Sequence, residues 1–274
     1  MTEFFKVSGS GNDFLALAEP AETPNAEAIR AWCQRGVSVG GDGLFVLRRL
    51  DSKVSMDYFN SDGYAADLCL NGTRCAAQLA FHLGWAENLL TIETGAGAVT
   101  ARRCDESRVT VELPAPGKPE ALTVEAGGIR CAGYRAQVGV PHFVLPWPDS
   151  LDRAPIASLG KEIRHLPLFE EDTEEGTNVN FVRFPGKHRM EIRTYERGVE
   201  AETLSCGSGI LAGAAVGLLI GSLLFPVRVL VQGGFELEVG SEGASWLLSG
   251  DARVVARGTL LTGAAANPSP PAWC

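Results

Sequence analysis

The chain has no Cys-X-X-Cys pair, no run rich in lysine and arginine, and no basic stretch followed by an apolar one near Met1–Ser10. The first absence argues against a zinc site, and no metal is expected. The second leaves nothing to neutralise a phosphate backbone. With 24 Lys+Arg against 33 Asp+Glu the formal charge is −9, so neither nucleic acid nor an anionic membrane surface is an expected partner. The third gives no reason to expect a signal peptide. A disulfide framework is also missing. The seven cysteines, at 33, 69, 75, 104, 131, 206 and 274, are odd in number and widely spread, which suits thiols in a reducing cytoplasm.

What is there suits a globular chain. Of 274 residues 45% are hydrophobic and 21% charged, an ordinary balance for a folded protein. The length allows one large domain or two of about 130 residues. One apolar run, from Gly209 to Phe225, has only Ser222 as a polar residue. It is near the lower length limit for a membrane span, but its small residues suit a helix buried on all sides.

The chain repeats itself. With Cys69 placed over Cys206, Gly72 falls on Gly209, Ala77 on Ala214, Leu79 on Val216 and Gly84 on Gly221. Each run is apolar and free of proline, and predicts a helix starting just after its cysteine. The match extends outward. Leu90–Gly97 echoes Val227–Gly234, Met56–Asn60 echoes Glu191–Glu196, Gly40–Val46 echoes Gly176–Val182, and Gly11–Leu15 echoes Val140–Val144. The pattern predicts an α+β protein of two similar, pseudo-symmetric domains: 1–116 carrying Cys69 and 117–262 carrying Cys206, with 263–274 as a tail. Pro114–Pro119 reads as the linker. A shorter helix is expected near Pro24–Gln34.

A duplicated fold gives Cys69 and Cys206 equivalent places, and facing domains would bring them together across a cleft. Each starts a helix, where the dipole favours a thiolate and the first N–H groups favour a carboxylate. Two thiols on opposite faces of one α-carbon can remove and return a proton without a cofactor. Cys33, Cys75, Cys104 and Cys131 read as small buried hydrophobes.

The sequence resembles the diaminopimelate epimerase family along nearly its whole length. The resemblance is carried by Gly9-Ser-Gly-Asn-Asp-Phe14, Phe59-Asn-Ser-Asp-Gly63, Cys69-Leu-Asn-Gly-Thr-Arg-Cys75, Gly139-Val-Pro-His142, Thr177-Asn-Val179, Tyr195-Glu-Arg-Gly-Val199 and Glu202-Thr-Leu-Ser-Cys-Gly-Ser-Gly209. It implies that Cys69 and Cys206 are the acid/base thiols. It implies that Leu70, Asn71, Gly207 and Ser208 lie at the helix ends holding the reacting carboxylate. Asn12, Asn60, Asn178, Glu196 and Arg197 then match substrate-binding positions, and His142 a supporting one. Arg197 fits a distal carboxylate through its planar fork. The family further implies barrel-like, mostly antiparallel sheets around a central helix, a homodimer, no cofactor, and conversion of LL-2,6-diaminopimelate to the meso form in lysine and peptidoglycan-precursor biosynthesis.

Four positions depart from the family pattern: Leu70 for a glycine, Val140 for an asparagine, Gly43 for the glutamine of some relatives, and Ser8 for a histidine. They bear on substrate more than on reaction type, so the alternative is a racemase of the same fold acting on another amino acid. A cysteine hydrolase using His142 as base leaves the second thiol unexplained. Gly207–Ala212 matches a nucleotide-binding glycine pattern, but without the βαβ context that pattern needs. A non-catalytic binding module would hold ligand without exchanging its α-proton.

Overall fold

The computed structural model describes residues 1–170 and 176–261. They form two compact units. One is Met1–Val109 with the described residues from Ala252 on, and the other is Thr110–Asp251.

The first unit opens with the hairpin β1 (Thr2–Gly9) and β2 (Asn12–Ala18). Its two-residue connection, Ser10 and Gly11, has φ of 53° and 96°, the left-handed values a tight hairpin requires. Helix α1 (Ala26–Cys33) starts at Asn25, whose side chain accepts the Ala28 N–H, and it buries Ile29 and Cys33 against Leu15, Leu17, Leu44 and Val46. Strand β3 (Gly43–Leu50) runs parallel to β2, and β4 (Lys53–Asn60) antiparallel to β3. After helix α2 (Leu70–His82), β5 (Leu89–Thr94) lies parallel to β4 and pairs antiparallel with β6 (Gly97–Arg103). Every residue of α2 from Leu70 to Phe81 is buried, because the helix contacts each of β1 to β6.

Strand β7 (Arg108–Pro114) carries the chain across the unit boundary. In the second unit β8 (Glu120–Ala126), β9 (Ile129–Val138) and β10 (Val140–Pro146) form an antiparallel meander. The crossover holds α3 (Ile156–Arg164) and α4 (Pro167–Glu170). It leads to β11 (Asn178–Gly186), parallel to β10. Then come β12 (Arg189–Glu196), antiparallel to β11, the short β13 (Ala201–Thr203) and helix α5 (Gly207–Leu219). Strand β14 (Val227–Val231) lies parallel to β12, followed antiparallel by β15 (Glu236–Glu242) and β16 (Ser245–Asp251). The apolar run of the sequence thus begins as α5, packed on β9 to β12. Among the described residues no helix is long and apolar enough to cross a membrane.

The last strand, β17 (Arg253–Leu260), pairs antiparallel with β1 and packs on α2. The two units then have one ladder plan. In the first it runs β17, β1, β2, β3, β4, β5, β6, and in the second β8, β9, β10, β11, β12, β14, β15. In each the successive pairings are antiparallel, antiparallel, parallel, antiparallel, parallel, antiparallel. The expected mixed α+β fold, a mostly antiparallel sheet around one central helix in each half, is what forms.

The division of the chain differs from the one expected at 116/117. The final strand joins the first unit, and Pro114–Pro119 spans the end of β7 and its connection to β8 inside the second unit. A strand's alternation tells which face is buried, not which distant edge it closes. The tail expected at 263–274 lies outside the described residues.

Candidate active site

Cys69 and Cys206 are the N-caps of α2 and α5, each 13 residues long. Their backbones match closely, with φ/ψ of −132°/106° and −122°/108°. The Cys69 sulfur accepts the Gly72 N–H at 3.4 Å, and the Cys206 sulfur is 3.5 Å from the Ser208 hydroxyl. Both thiols therefore meet the positive end of a helix dipole. Cys69 is part-exposed and Cys206 buried. Elsewhere burial pushes the Cys33 thiol up to about 11 and that of Cys131 up as well, as for inert core cysteines, and Cys75 is buried too, but Cys104, expected to be buried, is exposed.

In the first unit a chain of hydrogen bonds runs one way through the expected amides. Buried Arg74 donates to Ser10 Oγ and Asn71 Oδ1, both at 2.8 Å. Asn71 Nδ2 donates to Asn12 Oδ1 at 2.7 Å, and Asn12 Nδ2 to Asp42 Oδ2 at 3.0 Å. Asp42 is held by the Arg35 guanidinium at 2.8 Å and also accepts the Asp13 N–H at 3.0 Å. Burial raises the Asp13 carboxyl, but Arg35 and Lys6 outweigh it and hold it below the ordinary carboxylate value. Each amide is thus fixed in one orientation. Asp42 and Arg74 were not among the residues singled out from the sequence, since only the fold puts them at the ends of this chain. Leu70 is buried, with 6% exposure. Asn60 ends β4 opposite Gly43, exposed, its backbone closing a turn with Gly63 and Tyr64.

In the second unit Asn178 Oδ1 accepts the Arg197 N–H at 2.9 Å. Glu196 accepts the Thr203 hydroxyl at 2.8 Å. His142, opposite Asn178 in the β10–β11 ladder, is fully buried. Thr194 Oγ1 donates to Asn180 Oδ1 at 3.0 Å, which leaves Asn180 Nδ2 to donate to His142 Nδ1 at 3.0 Å. The imidazole proton then belongs on Nε2, which is buried and has no partner among the described residues. Burial, then the Arg197 charge, pushes the His142 pKa down to about 3. A neutral ring with one donor facing inward results. Gly209 faces the Asn180 carboxamide so closely that a Cβ there would collide with Oδ1. That glycine lets the start of the Cys206 helix approach the Asn180–His142 pair.

A sequence profile of the family described as diaminopimelate epimerase matches residues 4–118 and 134–255. The chain belongs to the diaminopimelate epimerase family. It is 38% identical to the diaminopimelate epimerase of Aquifex aeolicus over 252 residues, covering 86% of this chain and 89% of that one. It is 37% identical to that of Methanothrix thermoacetophila over 277 residues, covering 94% and 95%. Among solved structures it is similar to a Pseudomonas aeruginosa protein described as a predicted epimerase, with a TM-score of 0.73 at 16% identity, covering 95% of this chain and 99% of that one. At that identity the likeness is one of fold.

Membership of the diaminopimelate epimerase family makes this chain an isomerase of the racemase and epimerase kind, acting on a small molecule. Two of the positions expected to depart from the family pattern have a defined local setting. Leu70 is buried as the first residue of α2. At position 43 a Cβ would meet the Phe59 carbonyl at 2.5 Å and the Tyr58 hydroxyl at 2.9 Å, so these neighbours leave no room for a side chain there. Val140, the first residue of β10, is part-buried and pairs with Val138.

Proposed function

We propose that this protein converts LL-2,6-diaminopimelate to meso-diaminopimelate with Cys69 and Cys206 as its two acid/base groups. The observation that carries the reading is the equivalence of the two thiols: each caps the central helix of a unit with the same ladder plan. In this reading one sulfur, as thiolate, takes the α-proton. The electron pair left behind is stabilised by the substrate's own carboxylate, which the helix-end N–H groups hold. The other sulfur, as thiol, gives a proton to the opposite face. The enzyme ends with the roles of its sulfurs exchanged, and no pyridoxal phosphate enters the balance.

The first-turn backbone of Leu70, Asn71, Gly207 and Ser208 receives the reacting carboxylate. Asn12, Asn60 and Asn178 contribute amides, and the Nε2–H of His142 supplies a neutral donor beside the chemistry together with Glu196. Arg197 takes the distal carboxylate. The setting is cytoplasmic, the working form a homodimer, and the product a precursor of lysine and peptidoglycan.

The test is a panel of amino acids incubated with the protein in deuterium oxide without pyridoxal phosphate or metal. LL-Diaminopimelate is expected to gain deuterium at one α-carbon with inversion. Exchange of a different amino acid in its place would make the protein a racemase of another specificity. Exchange only after pyridoxal phosphate is added would end the two-thiol reading.

A further inference from the structure

We infer that Arg164 is a positioning residue for Arg197, clamping from behind the turn that presents it. The inference rests on the proposed role of Arg197 at the distal carboxylate.

Arg164, the last residue of α3, is 8% exposed. Its Nε and Nη2 both donate to Glu200 Oε1, at 2.9 and 2.7 Å. The same oxygen accepts the Gly198 N–H at 3.0 Å, and His165 Nε2 lies 3.2 Å from Glu200 Oε2. The Tyr195 hydroxyl donates to the Glu200 carbonyl at 2.8 Å. Gly198 and Glu200 have φ of 81° and 57°. A non-glycine residue in that region is strained, and holds only when its surroundings fix it.

Arg164 also reaches the other anchor of Arg197. Its guanidinium and carbonyl press on Gly176 so closely that a Cβ there would collide with both. Two residues on, Asn178 accepts the Arg197 N–H. The backbone of Arg197 is therefore fixed on one side by Asn178 and on the other by the Gly198–Glu200 turn, and Arg164 touches that turn at Glu200 and the chain two residues before Asn178 at Gly176. The turn buries little apolar surface, since Val199 is 57% exposed. A nearly buried guanidinium is an expensive way to stabilise so small a turn. What the clamp does secure is the backbone from which the Arg197 side chain projects.

The test compares Arg164→Lys, which keeps the charge and loses the fork, with Glu200→Gln, Arg197→Ala and the double variant Arg164→Lys with Arg197→Ala. Thermal midpoint, kcat and KM for LL-diaminopimelate are measured for each. The expected result is a KM raised about ten- to a hundredfold in Arg164→Lys, because a shift on the order of 1 Å is enough, with kcat within about threefold. Glu200→Gln is expected to move KM the same way even if Arg164→Lys fails to fold. In the Arg197→Ala background the Arg164 change should have no further effect on KM. A KM unmoved by Arg164→Lys or Glu200→Gln while Arg197→Ala raises it overturns the inference and leaves the functional reading intact. A fall in kcat that tracks the thermal midpoint, with KM unchanged, also overturns it. A KM unmoved by Arg197→Ala overturns both.

Discussion

At the residue scale the most constrained group is His142, a fully buried imidazole whose pKa is pushed down to about 3. In an unfolded chain a histidine titrates near about 6.5. Between those values the unfolded state binds a proton that the folded state refuses. The contribution is complete above about pH 6.5 and is lost as pH falls toward 3. Replacing it with His142→Asn should therefore flatten the acid limb of the stability curve by up to about 1.4 kcal/mol per pH unit. Denaturant unfolding at pH 4, 5, 6 and 7 measures this, and identical slopes would place the ring in contact with water. At the same scale Arg197→Ala should cost diaminopimelate turnover about 2–5 kcal/mol, a loss of tens to thousands of fold. Equal turnover of lysine and diaminopimelate by the unaltered protein would contradict that role. Both residues were legible as members of quoted motifs. Asp42, Asn180 and Arg164 were not, and Arg74, though inside a quoted motif, did not stand out there, because their importance lies in what they touch. Asp42 reads as an ordinary turn residue until Asn12 donates to it.

At the element scale the two central helices were legible for a physical reason. Each follows its cysteine with an unbroken apolar run, and α5 is apolar all round, as a helix covered on every side should be. Helix α3 was missed because it gives no start signal. Its N-cap is Pro155, with no side-chain cap bond, and it lies in a stretch with several prolines and charges. The strand partners were equally hidden, since a parallel crossover separates β10 from β11 by more than thirty residues. The contact of α5 with β11 gives a prediction. Gly209→Ala would drive a Cβ into the Asn180 carboxamide, costing about 1–3 kcal/mol. It should also lower activity by displacing the partner of His142. Adding Asn180→Ala should restore part of the thermal midpoint and none of the activity. A Gly209→Ala variant of unchanged stability would show that the helix start has room to move.

For the whole molecule the duplication is the organising fact, and the ends of the chain complete it. Strand β8 precedes β9 in sequence and pairs with it, whereas the equivalent partner of β1 comes from the far end of the chain as β17. Ending the chain after Asp251 should therefore leave β1 without its outer partner and α2 uncovered on that side. The first unit is expected to lose its cooperative unfolding and its slow hydrogen exchange, and survival of both would mean that β17 is dispensable. The repeat in the sequence announced two equivalent thiols, and the ladders assign each to the same place in its unit. The account stands or falls on whether both are needed. Cys69→Ala and Cys206→Ala should each abolish epimerisation of LL-diaminopimelate in deuterium oxide while keeping the fold, and Cys104→Ala should leave it nearly intact. Epimerisation at an undiminished rate by either of the first two would contradict the two-thiol mechanism.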